Sequence, residues 1–287
     1  MKRGDYKIFN VDAFEWLKRR GARTIHGVVT DPPFGVLEYT PEQLEKKRNG
    51  KGIWRLPQNY DGGERSPMPR FTVLTKADHE KIVQFHTKLA PLLLKVLVPG
   101  GLVIMSSQNL LSYLVIDAFV SEGFELRGQI ARVVKTLRGG DRPKGAHTKY
   151  PKVSVTPRCC WEPWLIFRKP CDGLVRENLR KWRTGALRRP RKNTPMSDLL
   201  ISNTARGEER RIAPHPSLKP QAFVRRIVRA ALPLGKGLIL DPFMGSGSAI
   251  AAASALQYKS IGLEVNRGFF KLAEDAIPQL AALDIEM

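Results

Sequence analysis

The sequence predicts a doubly wound, mostly parallel α/β sheet. Three observations predict it: short apolar runs that each end in turn or polar chemistry, helical patterns between several of them, and a glycine-rich loop that follows one run and opens a helix. At 287 residues the chain suits one large domain with insertions better than two full domains.

In chain order, residues 7–11 form the first expected strand and 13–20 the first helix. A strand at 27–30 ends in Thr-Asp-Pro-Pro, and another at 101–105 follows a Pro-Gly-Gly turn and leads to a helix over 109–122. Residues 126–134 and 164–167 read as two further strands, forming an antiparallel edge. A helix over 221–232 places Phe223, Ile227, Val228 and Ala231 on one face. Strands at 237–240 and 260–263 flank a helix at 249–256. Two stretches break this rhythm. Residues 36–70 are polar and rich in Gly, Pro and cations, and 171–214 are more strongly basic; both read as insertions at the sheet's edge. The expected division is 1–170, 171–214 and 215–287.

No apolar leader is visible at the N-terminus, and the most apolar stretch, 89–105, is broken by Lys95 and Pro99-Gly100-Gly101. No membrane span is expected, and the cytoplasm is the expected location. Cys159, Cys160 and Cys171 form no CxxC pair or Cys/His cluster, so neither a disulfide framework nor a metal site is expected. The net charge of +21 exceeds what solubility needs and points to a polyanionic partner, because each neutralised phosphate releases condensed counterions. Between positions 176 and 192 eight cations face Glu177 alone.

Asp241-Pro242-Phe243-Met244-Gly245-Ser246-Gly247-Ser248 follows a strand and opens a helix. Small residues there let backbone approach a ligand, with helix N-terminal amides facing it. No Gly-Lys-Ser/Thr follows, so this is no phosphate-binding P-loop, and Ile250 replaces the third glycine of the dinucleotide pattern. One strand later Glu264 suits a ribose diol, and the two features together indicate an adenosine-containing cofactor. Thr30-Asp31-Pro32-Pro33-Phe34 closes another strand. A base amino group is conjugated with its ring and is a poor nucleophile. The Asp31 carboxylate and Pro32 carbonyl, accepting both its N–H bonds, would localise the lone pair. The prolines fix the loop, and Phe34 offers a stacking face.

These residues resemble the amino-methyltransferases of DNA, which make N6-methyladenine or N4-methylcytosine. Asp31–Phe34 matches their Asp/Asn/Ser-Pro-Pro-aromatic loop, residues 241–247 their Asp-x-Phe-x-Gly-x-Gly loop, and His215-Pro216-Ser217-Leu218-Lys219-Pro220 their His-Pro-Thr-x-Lys-Pro segment. The order of the motifs is that of the β group. It implies a circularly permuted, seven-stranded sheet that starts with the third strand and ends after the second strand and its helix, 266–280. The resemblance implies S-adenosylmethionine as cofactor and double-stranded DNA as partner. It assigns catalysis to Asp31, Pro32, Pro33 and Phe34. It assigns cofactor binding to Asp12, Asp31, His215, Ser217, Lys219, Asp241, Phe243, Gly245, Gly247, Ser248, Glu264 and Asn266. For Asp12 a helix N-cap is the equal alternative. By position, 171–214 is the target-recognition region, with Arg180, Lys181, Arg183, Arg188, Arg189, Arg191 and Lys192 as phosphate contacts. A homodimer and a cognate restriction enzyme stay open as partners.

Carbon-5 cytosine methylation would need a Pro-Cys pair on the Asp31 loop; Pro170-Cys171 is far from it in the chain. Release-factor methyltransferases carry Asn in the first loop position and the opposite motif order. Asp31 favours adenine N6 as target. Cytosine N4, an RNA base, and a catalytically dead DNA-binding homologue remain as alternatives.

Overall fold

A computed structural model describes residues 4–33, 45, 49, 74–138, 149–150, 152–153, 159–215 and 217–285. Phe34 and residues 36–70, apart from Glu45 and Asn49, lie outside the described residues.

The strands are β1 (Tyr6–Phe9), β2 (Ile25–Thr30), β3 (Leu97–Ser106), β4 (Glu125–Arg138), β5 (Cys159–Arg168), β6 (Leu199–Ile201), β7 (Leu238–Asp241) and β8 (Lys259–Leu263). Among the described residues the helices are α1 (Ala13–Arg19), α2 (Lys76–Val96), α3 (Ser112–Ser121), α4 (Val175–Trp182), α5 (Gly207–Ile212), α6 (Gln221–Ala231), α7 (Ser248–Ala255) and α8 (Arg267–Ala282). One sheet forms in the order β1-β8-β7-β2-β3-β5-β4-β6. Pairing is parallel except where β5 runs against β3 and β4. The first strand lies beside the last, Tyr6 opposite Ser260, as the permuted order requires. The expected sheet of seven strands has eight: the short β6 adds to β4.

Alternation builds the two faces. Val28, Val103, Met105, Leu165 and Phe167 pack against Leu17 of α1, Leu89 and Leu93 of α2 and Phe119 of α3. Val29, Leu102, Ile104, Trp164 and Ile239 point the other way, onto Phe223, Ile227 and Val228 of α6 and Ala252 of α7. Burial on both sides explains why the central strands read as continuous apolar runs.

Two features depart from the expectation. α2 was not foreseen, although Thr75 and Asp78 form a capping box and Ile82, Leu89, Leu93 and Val96 are buried at helical spacing. Pro91 inside the helix, and the direct run of apolar residues into β3, hide its end. Residues 171–214 are also more than an edge insertion. Asn178 of α4 is fully buried, donating to the carbonyls of Pro99 (3.0 Å) and Thr184 (2.8 Å) and accepting from the Asp172 amide (2.9 Å). Buried Arg132 bonds Glu162 (2.7 Å) and the Asn203 carbonyl (2.9 Å), tying β4 and β5 to the segment after β6. No described helix is long and apolar enough to cross a membrane.

Candidate functional site

Chain direction reverses across the sheet between β7 and β2: β7 leads to β8 on one side, β2 to β3 on the other. In open α/β sheets such a switch point opens a crevice at the carboxyl ends of the strands. The acidic residues singled out above stand in a row along that edge. Asp12 follows β1, Glu264 follows β8, Asp241 ends β7 and Asp31 follows β2.

The two loops at the switch point are tied directly. Thr30 Oγ1 donates to Asp241 Oδ1 (2.7 Å), and the Phe243 amide donates to the same oxygen (3.1 Å). Asp241 is buried, and that burial, reinforced by the nearby Asp31 and Glu264 carboxylates, pushes its pKa up to about 7 against the hydrogen bonds that oppose it. In the cofactor-free protein the folded state therefore keeps a proton that the unfolded chain releases above about 3.8. This contribution to stability is complete below pH 4 and is lost as pH rises to about 7. Asp241→Asn is expected to lack that slope, so that wild-type stability falls relative to the variant's between pH 4 and 7. Denaturant midpoints at four pH values would read it; parallel curves would refute it.

The glycine-rich turn folds back on β8. The Met244 amide donates to the Leu263 carbonyl (2.9 Å) and the Gly245 amide to Glu264 Oε2 (3.0 Å), while Glu264 Oε1 accepts from the Asn266 amide (2.7 Å). Each Glu264 oxygen thus takes one backbone donor and retains acceptor capacity for a diol. Asn266 caps α8 through the amides of Gly268 and Phe269. Gly245 (φ 53°) and Gly247 (φ 84°) adopt left-handed backbone. A Cβ on Gly247 would collide with Ile277 of α8. Gly247→Ala is expected to cost about 2–4 kcal/mol from left-handed strain and overpacking, read as a lowered denaturation midpoint at unchanged slope.

The described part of the 215–220 segment lies over this turn. The His215 ring would sit 3.1 Å from a Cβ on Gly245 and packs edge-on against Phe269, 4.3 Å between centroids. Burial holds its pKa down to about 4, so it is neutral at pH 7. Its Nδ1 accepts from the Ser217 amide (3.2 Å), and the Ser217 side chain is exposed. Lys219 Nζ bonds Asp31 Oδ2 at 2.5 Å, their side chains 14% and 22% exposed. Gln221 anchors the segment's far end, donating to the Ser248 carbonyl (2.9 Å). Beyond Asp31, Pro32 is buried and Pro33 exposed. Asp12 is an exposed N-cap, accepting from the Glu15 amide (3.0 Å); its second oxygen has no partner among the described residues. These residues fit an adenosine cofactor carrying an amino-acid tail. Carboxylates stand at the ends of four adjacent strands, the glycine turn admits close approach, and a lysine stands beside them.

Three residues along this edge were not foreseen: Thr30, which joins the loops; Val265, which follows Glu264 and is 68% exposed; and Ser107, which follows β3 and whose buried Oγ has no partner among the described residues. An apolar residue after the acidic strand end was the available signal for Val265. The others needed the sheet order.

The structure does not bring the basic run to this edge. β5 runs antiparallel to β3, so the chain leaves it at the amino ends of the parallel strands. Arg188 bonds the Tyr258 hydroxyl (2.6 Å) just before β8, Trp182 lies under the guanidinium of Arg23 (5.9 Å) just before β2, and Arg183 acts on His26. Arg180, Lys181, Arg189, Arg191 and Lys192 belong to the same segment. Cys171 lies there too, beside Gly185, far from Asp31.

A family model described as DNA methylase, of the N6/N4 methyltransferase type, matches residues 25–275. The Type II methyltransferase M.HindIII of Haemophilus influenzae is 21% identical over 93% of both chains. The DNA adenine methyltransferase YhdJ of Escherichia coli K12 is 41% identical over 58 residues, 20% of this chain and 19% of its own. The PvuII DNA methyltransferase, cytosine-N4-specific, superposes with a TM-score of 0.62 at 14% identity, covering 100% of this chain and 89% of its own. The M1.HpyAVI–SAM complex does so at 0.58 and 19% identity, covering 97% and 100%.

Proposed function

Because the chain belongs to the N6/N4 DNA methylase family, an S-adenosylmethionine-dependent class of enzyme, we propose that it methylates the N6 amino group of adenine in double-stranded DNA. The observation that carries this reading is the Thr30–Asp241 hydrogen bond. It sets the Asp-Pro-Pro loop and the glycine-rich loop side by side at the switch point. Asp31, rather than serine, in the first loop position is what favours adenine.

Asp12, Glu264, Phe243, Gly245, Gly247, Ser248 and Asn266 would hold the nucleoside and its attached chain, with His215, Ser217 and Lys219 closing over the amino-acid end. When bound, the cofactor supplies an electrophilic methyl carbon. The remaining work falls to the protein. A base rotated out of the duplex, at a cost of a few kcal/mol, meets a carboxylate with one oxygen committed: Oδ2 of Asp31 is held by Lys219, which leaves Oδ1 to accept one amino N–H. The Pro32 carbonyl accepts the other. Both bonds draw the nitrogen out of conjugation and fix its lone pair, and the N–H proton shed after transfer has Oδ1 as its acceptor. Fixed geometry of this kind supplies much of the rate.

The test is incubation with isotopically labelled S-adenosylmethionine and mixed DNA and RNA, digestion to nucleosides and mass spectrometry. Labelled N6-methyldeoxyadenosine is the expected product. N4-methyldeoxycytidine would move the target base, label confined to ribonucleosides would overturn the DNA reading, and no label at all would overturn catalysis.

A further inference from the structure

We propose that the amino-terminal edge of the sheet is a second DNA-binding surface, separate from the edge where a base would be methylated. The proposal rests on the reading of the protein as a DNA methylase and adds a second docking site to it.

The first observation is distance. Arg23 precedes β2 and Asp31 follows it, eight residues apart. At about 3.3 Å per residue the two edges are roughly 25 Å apart. They also face opposite directions, with the whole sheet between them. Duplex DNA is stiff over about 150 base pairs, so a straight duplex lying on the carboxyl edge cannot reach the amino edge as well.

The second is charge. Arg183, Arg189, Arg191, Lys192 and Lys236 are exposed on the amino edge, and none has a carboxylate within salt-bridge distance among the described residues; Arg23, also exposed there, lies near enough to Asp172 to lower its pKa. Between 171 and 192 there are two acidic groups, and Asp198, exposed just before β6, is a third on this edge. Asp172 is paired with Lys181 at 2.7 Å, and Glu177 accepts from the Leu174 amide. The cations outnumber these carboxylates, which leaves the edge net positive.

The third is rigidity. A merely solvated basic run needs no bracing, yet the backbone of this one is fastened at three points. Asn178 is fully buried between Pro99 and Thr184. The Arg188 amide donates to the Ala230 carbonyl (3.0 Å) and its guanidinium to Tyr258, while Arg229 donates to the Arg189 carbonyl (2.7 Å). Cations held in place lose less entropy on meeting a phosphate backbone, and planar guanidinium groups suit phosphate oxygens. The occupant is DNA because that is the polyanion this enzyme family works on, present at high local concentration around any bound molecule. Holding one segment at the amino edge would keep the enzyme near neighbouring segments that present bases to the other edge.

The experiment is a bridging assay with the full chain. A biotinylated 40-base-pair duplex is fixed to beads, and capture of a second, fluorescent 40-base-pair duplex is measured against salt. The comparison is with a variant carrying Arg183→Gly, Arg189→Ser, Arg191→Ser and Lys192→Ser. Glycine suits the left-handed position of Arg183, and unchanged melting of the variant verifies the fold. The wild type is expected to capture the second duplex. The variant is expected to capture at least tenfold less at about 0.1 M salt, with a slope of log K on log salt shallower by about 3–4, while still binding one duplex. Absence of bridging by the wild type would overturn the proposal. So would bridging that survives the substitutions, which would assign it to self-association. Equal loss of first and second duplex would return the run to a single interface and overturn it too. The assay scores binding without methyl transfer, so it can fail independently of the nucleoside experiment above.

Discussion

Asp31→Ala is expected to reduce methyl transfer by about 10²–10³-fold or more, the range seen when one preorganised polar group facing a transition state is removed. The reasoning is local. Only an acceptor at this position can take an N–H from the amino group, and Oδ1 is the oxygen that Lys219 leaves open. Alanine keeps the Pro32 carbonyl but leaves one N–H without an acceptor, so the nitrogen stays conjugated with its ring. The cofactor groups on β8 and β7 are untouched, because Glu264 is oriented by the Gly245 and Asn266 amides and Asp241 by Thr30 and Phe243. Binding of the demethylated cofactor, followed calorimetrically, should therefore stay within a fewfold of wild type while single-turnover transfer collapses. Full transfer by the variant would remove Asp31 from the mechanism.

What the sequence made legible follows from where its signals come from. The central strands were readable because a parallel strand buried on both faces is apolar throughout; Val28, Val29, Val103 and Ile104 are all fully buried. The two loops were readable because their chemistry is dense in the chain. β6 gave no pattern: it has three residues, and Leu199 and Ile201 are exposed. Which edge the basic run occupies was not legible either. Its composition announced a polyanion partner, but the edge it occupies is set by strand direction. Trp164–Phe167 was expected to be antiparallel, and a chain leaving an antiparallel strand emerges at the edge opposite the loops of its parallel neighbours. Residues 171–192 then had to begin on the amino side, where Arg188 meets Tyr258. The Lys219–Asp31 contact was beyond reach for another reason. The two residues are separated by 188 positions, and neither motif alone says that one ends on the other.

That contact sets up the second large effect. Lys219→Met is expected to slow methyl transfer by about 10–100-fold, equivalent to about 1.4–2.7 kcal/mol, within the coupling range of residues in direct contact. The side chains of the pair are only 14% and 22% exposed, so solvent screens them weakly, and removing the ammonium leaves Asp31 without its counter-charge while Asp241 and Glu264 act in the same crevice. Lys219 would then be a positioning residue, holding Asp31 so that Oδ1 faces the amino group. A double-mutant cycle separates this from a role toward the cofactor alone. If Lys219 works through Asp31, adding Lys219→Met to Asp31→Asn should cost little further rate, because the ion pair is already gone. If it works only on the cofactor, the two losses should add to within about 0.5 kcal/mol, and the variant's cofactor affinity should fall by the same factor as its rate. A strongly non-additive cycle with cofactor affinity preserved is the expected outcome. It would mean that the third motif serves catalysis by aiming the first.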